Sequence, residues 1–331
     1  MSEPKLGAWA AVPAFVVLIV GMLVIGAVSQ SRDVLSGLWI TEAIAIALPA
    51  VFVLCAAQVK IAPYLGFGRL SGKQALVVVV AAAANQPVVS FLTWVEHEGL
   101  PVLDPSWFRF WTWWQQHVGH VGSWLPHLPR NLVLDFDAQQ RMLGSLFGGS
   151  DKYLIMMTVV VAAALGEEIF FRGFYLPALR KSFGLLAAVL ISGACFSLVH
   201  FEWVGFFGLM EIGILLAALR IWSGSLWAAI LGHAVNNAIA GTAFLLGYED
   251  PDSPTPLWTV VLGAALFVAG IVALRRVLQK DLAVEEKPAP PRKLAWSSLA
   301  IIWTFFLFSS FYSYTKMRQP PVDREETESP R

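Results

Sequence analysis

Charge is what this sequence has least of. Only 14% of its 331 residues are Asp, Glu, Lys or Arg, where a soluble globular domain carries about 25%. The signs cancel, with 23 Lys and Arg against 23 Asp and Glu. Nothing therefore points to nucleic acid or to an acidic partner. Cysteine is scarcer still: Cys55 and Cys195 both fall inside apolar runs. They make no CxxC, no other metal spacing and no disulfide framework. The chain also lacks an HExxH, the usual helix signature of zinc peptidases. No serine or cysteine stands in a recognisable nucleophile motif, and no internal repeat is evident.

What fills the space is hydrophobic sequence, 57% of the chain. It is gathered into runs that repeatedly reach the roughly 20 residues needed to cross a bilayer core. Nine spans are expected: Trp9–Ser29, Trp39–Gln58, Ala75–Val95, Tyr153–Arg180, Leu185–Trp203, Val204–Ile221, Ser225–Leu246, Leu257–Leu274 and Trp296–Tyr314. The short Val204–Ile221 is the least secure of them as a separate crossing. These runs are about twice the length of a barrel strand and do not alternate, so helices satisfy their backbone in lipid. The expected fold is all-α, a polytopic transmembrane bundle of 8–9 spans with the active site inside a four-helix core. Trp9–Ser29 is longer than a signal-peptide core and is followed by no clear cleavage site, so it reads as a retained first span.

Basic residues give the orientation. With the N-terminus inside, the inner connections hold Lys60, Arg69, Lys73, Arg180, Lys181, Arg220 and the six Lys and Arg between Arg275 and Lys293. The short outer connections hold Arg32 alone, and the outer loop between Gly247 and Pro256 is acidic. This asymmetry favours a cytoplasmic N-terminus. The expected organisation is N-terminal transmembrane helices over 1–95, a Trp-rich interfacial loop over 96–152, a helical core over 153–246, C-terminal transmembrane helices over 247–314 and a disordered tail over 315–331. Tryptophans prefer the headgroup region. The loop carrying Trp107, Trp111, Trp113 and Trp114 is therefore expected to lie in the outer interface, as an anchor or as a lid over the site.

Against so little charge, a few polar residues in apolar segments stand out, because ionisable groups at membrane depth are costly and mark functional sites by default. They are Glu167 and Glu168, then His200, then His233 and Asn237. Helix rise of about 1.5 Å per residue brings them to one level. Glu167 lies 13 residues from Arg180, His200 lies 16 from Gly184, and His233 and Asn237 lie 10 and 14 from Ser223. These separations correspond to depths of roughly 15–24 Å from the inner ends. Glu167 and Glu168 point about 100° apart, so only one of them fully faces a given cavity. Glu168 and Arg172 are four residues apart, the spacing of an ion pair on one helix face. They read as structural, which leaves Glu167 as the free carboxylate. Taken singly, Glu167 is equally a proton relay or a packing contact, His200 a satisfied core histidine, and His233 with Asn237 an interhelical hydrogen-bonding pair.

Together they make a hydrolytic inventory: a base, proton carriers and an oxyanion donor. Glu167 with His200 activates a water on this reading, and His233 with Asn237 supplies donors. Two His and one Glu also form a possible zinc triad, but without HExxH a metal is not expected, and neither is another cofactor. Cys195 reads as a small apolar residue, off the His200 face.

At these residues the chain resembles the CAAX-protease and bacteriocin-processing family (CPBP, or Abi) of glutamic-type intramembrane proteases. The EExxxR motif stands as Glu167-Glu168-x-x-x-Arg172, FxxxH as Phe196-x-x-x-His200, and HxxxN as His233-x-x-x-Asn237. The resemblance covers about Tyr153 to Leu246. It implies Glu167 and His200 as the pair activating water, His233 and Asn237 as the oxyanion site, Glu168 and Arg172 as supports, and no obligatory metal. It further implies a membrane-associated protein or peptide as substrate, and a multi-pass location in the lipid bilayer, expected to be a bacterial inner membrane. Two other functions remain open. One is a non-catalytic immunity or binding protein of the same family. The other is a proton-coupled transporter using Glu167 and Glu211, although no pair of broken helices in matching halves supports transport.

Overall fold

The computed structural model describes residues 6–95, 152–200, 205–246, 256–282 and 293. Every regular element among them is helical. Among the described residues seven helices are long and apolar enough to cross a membrane: α1 (Ala8–Gln30), α2 (Val34–Ala56), α3 (Gly72–Trp94), α4 (Lys152–Phe183), α6 (Phe206–Ser223), α7 (Leu226–Leu245) and α8 (Leu257–Gln279). A shorter apolar helix, α5 (Leu185–Leu198), stands between α4 and α6. The protein is an integral, multi-pass membrane protein.

Two of the expected spans differ from what forms. The segment Leu185–Trp203 is helical only to Leu198, 14 residues in all, short of the roughly 20 that a crossing needs. Val199 and His200 turn out of the helix instead. The less secure Val204–Ile221 proves the better formed, as the 18-residue α6. The expected span Trp296–Tyr314, the Trp-rich loop of 96–151, the linker Val284–Pro291 and the tail lie outside the described residues.

The helix α4 is the centre of the bundle. Half of its most apolar window is buried inside the protein, against 11% for α8, whose surface faces outward. Its lower half carries an aromatic block. Phe170, Phe171, Phe174 and Tyr175 are fully buried, and Phe15 of α1 packs on Tyr175 and Phe171 with ring centroids 5.4 and 6.0 Å apart. At its N-terminal side α1 is pinned to the end of α4, where the Ala8 amide donates to Ser182 Oγ at 2.9 Å. A single residue, Gly184, joins α4 to α5. Its φ of 80° lies in the left-handed region that glycine enters without steric cost.

Between α5 and α6 the backbones touch. A Cβ on Gly213 would lie 2.8 Å from the Cα of Gly193, and one on Gly193 would lie 3.0 Å from the Met210 carbonyl. Lipid offers no hydrophobic reward for helix association, so small residues that permit close packing carry it. The helix α3 is interrupted midway at Asn85, followed by Pro87. Proline removes one ladder hydrogen bond and crowds the preceding turn, and the local break turns Asn85 and Gln86 toward neighbouring helices. Widened π-helical turns occur within α2 at Thr41–Ala47 and within α4 at Val159–Ala163 and Ile169–Tyr175. Such turns are frequent at functional sites.

The contact between Gly193 and Gly213 sets the spacing of α5 and α6. Gly193→Val is therefore expected to lower the thermal unfolding midpoint of the detergent-solubilised protein. The cost should be that of overpacking, about 1–3 kcal/mol. An unchanged midpoint would show that these helices can separate freely.

Candidate functional site

The Gly166–Arg172 stretch of α4 brings two carboxylates into the bundle interior and sends them different ways. Glu168 is fully buried, and its Oε1 accepts from Arg172 Nη1 at 2.6 Å, four residues along the same helix. The same oxygen lies 3.0 Å from His233 Nδ1 on α7. A carboxylate left alone at this depth would carry a large desolvation cost, which only paired charge and hydrogen bonds offset. Arg172 is fully buried as well. Its Nη2 donates to the Gly213 carbonyl of α6 at 2.8 Å, and the bare Gly213 surface leaves room for it.

Aromatic contacts complete the cluster. The Phe196 ring of α5 sits under the Arg172 guanidinium at 4.4 Å, a cation–π geometry. It also touches the rings of His200 and His233, with centroids 5.0 and 5.6 Å away. One phenylalanine thus borders the arginine and both histidines.

Each histidine has its ring orientation determined by one nitrogen. His200 follows the end of α5, and its Nδ1 is 2.9 Å from the Phe196 carbonyl. A carbonyl can only accept, so Nδ1 carries the proton and Nε2 is the free pole of the ring. His233 Nδ1 faces a carboxylate oxygen and by the same reasoning is protonated, again leaving Nε2. Asn237 lies one turn beyond His233, with Nδ2 donating to the Val159 carbonyl of α4 at 3.1 Å. That carbonyl opens the π-helical turn Val159–Ala163, where the altered ladder makes it available to an outside donor.

The structure thus joins Glu168, Arg172 and His233 directly and ties Asn237 to α4. No hydrogen bond joins His200 to Glu167 among the described residues. Glu167 is 7% exposed, and its Oε2 is enclosed without a hydrogen-bond partner among them. The charge of Arg172 is within electrostatic reach of Glu167. Cys195 is buried against the Tyr175 hydroxyl, 3.4 Å away. Among the described residues, no three His, Cys, Asp or Glu side chains are grouped so as to hold a metal ion.

Two features escape the sequence reading. The first is Glu42 on α2, which packs on Gly166 directly beside Glu167. A Cβ on Gly166 would lie 2.6 Å from Glu42 Oε2 and 2.8 Å from the Glu42 carbonyl. The criterion that singles out Glu167, an ionisable group within an apolar span, applies equally to Glu42. The second is a polar seam from α3. Asn85 Nδ2 donates to Glu211 Oε2 at 2.6 Å, and Gln86 Nε2 donates to Asn236 Oδ1 at 2.9 Å. Glu211 thereby has a partner on a neighbouring helix.

Residues 149–239 match the family model described as type II CAAX prenyl endopeptidase Rce1-like, a span that contains every one of Glu167, Glu168, Arg172, His200, His233 and Asn237. No curated protein and no solved structure matches the chain.

The Glu168–Arg172 pair should behave as a coupled unit. Glu168→Ala and Arg172→Ala are each expected to destabilise the protein in detergent by about 3–5 kcal/mol, the cost of stranding a buried charge. The double replacement should cost less than the sum, and a double-mutant cycle on thermal unfolding measures the difference. Strict additivity would mean that the two side chains do not stabilise each other.

Proposed function

We propose, from the match of residues 149–239 to the family model described as type II CAAX prenyl endopeptidase Rce1-like, that this protein is a glutamic-type intramembrane endopeptidase. Its substrate is a peptide bond of a membrane-associated protein. The observation that supports this reading is that the matched segment buries Glu167, whose Oε2 has no hydrogen-bond partner among the described residues, and holds two histidines about one phenylalanine with their Nδ1 atoms engaged.

The chemistry follows from the free poles. A water that donates one hydrogen to Glu167 and the other to His200 Nε2 presents its lone pair to the scissile carbonyl. Glu167 takes the proton as the carbon–oxygen bond forms. Negative charge then grows on the carbonyl oxygen, and protonated His233 donates to it through Nε2. Glu168 holds Nδ1–H of that ring, and Arg172 holds Glu168, so the imidazolium is oriented by a carboxylate that is itself fixed. Asn237 supplies a second donor once its amide leaves the Val159 carbonyl. The proton on Glu167 passes to the leaving nitrogen as the carbon–nitrogen bond breaks. No step calls for a metal. The N-terminus lies on the cytoplasmic side in this proposal.

Purified protein incubated with a reporter peptide tests it. Cleavage is expected to persist in the presence of chelators. Glu167→Gln should abolish it, with expression and thermal unfolding near those of the parent, because the isostere removes the base alone. His200→Ala should be as severe. Retained cleavage by Glu167→Gln would remove this residue from the reaction.

One oxyanion donor is typically worth about 10²–10³ in rate. Asn237→Ala should therefore be the milder loss, read as a drop in kcat. A wild-type kcat in that variant would sink the oxyanion role.

A further inference from the structure

One carboxylate beside the site, on the half-buried residue Glu42, has no part in the reaction set out above. Glu42 lies on the widened turn Thr41–Ala47 of α2, among Thr, Ala and Ile side chains. Its Oε2 is enclosed and meets no donor among the described residues, and the same holds for Oε2 of Glu167. Gly166 brings the two groups together, since only a residue without a side chain allows the Glu42 carboxylate to rest on the backbone next to Glu167. The two carboxylates are within reach of each other's charge.

The surroundings decide what Glu42 is. The helices packed on its turn are α1 and α4. None of the α1 residues is ionisable. At this level α4 supplies Glu167, Glu168 and Arg172, and Glu168 with Arg172 is already engaged in the pair that holds His233. Arg172, the cation that α4 supplies at this level among the described residues, lies within electrostatic reach of Glu167. A second unpaired negative charge would stand uncompensated in a low-dielectric interior, next to a like charge that opposes it.

We propose that Glu42 is held as a neutral carboxylic acid and serves as the proton-donating positioning partner of Glu167. Its O–H occupies one oxygen of Glu167, directly or through one bound water, and so directs the other oxygen at the water to be activated. Such contacts are often long in ligand-free sites and tighten when substrate binds. Through the reaction the pair starts with one proton and gains a second from the attacking water. It loses one to the leaving nitrogen and returns to its starting state. The proposal rests on Glu167 being the base.

The test uses the full-length protein in lipid nanodiscs with the variants Glu42→Gln, Glu42→Met and Glu167→Gln. Infrared difference spectra at neutral pH should show the carbonyl-stretch band of a protonated carboxyl group in the parent and its loss in Glu42→Gln. Glu42→Met fills the space but cannot donate. It is expected to lower kcat roughly 10²-fold while KM moves by less than about twofold. Glu42→Gln, neutral and able to donate, should restore most of that loss. An unchanged infrared band in Glu42→Gln would overturn the proposal, as would a wild-type kcat in Glu42→Met or a Gln variant as impaired as Met. Should Glu42→Met fail to fold in a thermal unfolding assay, the Glu42→Gln spectrum decides alone. Cleavage by Glu167→Gln would refute the base assignment itself. An inactive Glu167→Gln beside a fully active Glu42→Met would refute only the role of Glu42.

Discussion

The buried Glu168 carboxylate is the constraint on which the rest of the site depends. An anion at this depth persists only if its desolvation is offset by paired charge and hydrogen bonds. Here one oxygen takes both, from Arg172 on its own helix and from His233 on α7. Arg172 in turn reaches the Gly213 carbonyl on α6. The relative rotation of α4, α6 and α7 is therefore determined by one carboxylate and one guanidinium. The rest follows from that rotation. His233 is committed at Nδ1, Asn237 falls one turn further along α7 beside α4, and Phe196 closes the space beneath the arginine.

Absent side chains matter as much as present ones. Gly213 and Gly193 let α5 and α6 approach backbone to backbone, and the same bare surface gives the Arg172 guanidinium its carbonyl. Gly166 does the equivalent between α4 and α2, where it admits Glu42. In a soluble protein, burial of apolar surface would drive such packing. Between helices in lipid, close contact and a few interior hydrogen bonds carry it. The widened turns serve the same end, since the Val159 carbonyl that receives Asn237 sits at the start of one.

On the side of α3 a second polar system runs through the bundle. The break at Asn85 and Pro87 sends Asn85 to Glu211 and Gln86 to Asn236, the residue before Asn237. This seam gives Glu211 a structural occupation and links α3 to the helix that carries His233. A lone glutamate in the first half of α6 thus reads as a helix-to-helix contact, the modest interhelical hydrogen bond expected in membranes.

The helical class, most of the apolar spans and the separation of Glu168 from Glu167 were legible in the sequence. Each rests on a local rule: run length against bilayer thickness, and four-residue spacing on one helix face. Glu167, Glu168, Arg172, His200, His233 and Asn237 could likewise be singled out, because polar and ionisable groups are conspicuous among Leu, Val and Ala. Where α5 stops was not legible, since no proline and no glycine follows Gly193 in Leu185–Trp203, and the helix ends at the turn of Val199 and His200. Which group His233 faces was not legible either. Spacing put it with Asn237 on one face of α7, whereas the packing of α4 against α7 decided that its Nδ1 meets Glu168. Glu42 is the clearest case. Residue type alone marks it as costly, but its nearness to Glu167 spans more than a hundred residues of chain and exists only because α2 closes onto Gly166. Local chemistry determined which residues are unusual, and the approach of helices distant in sequence decided which of them meet.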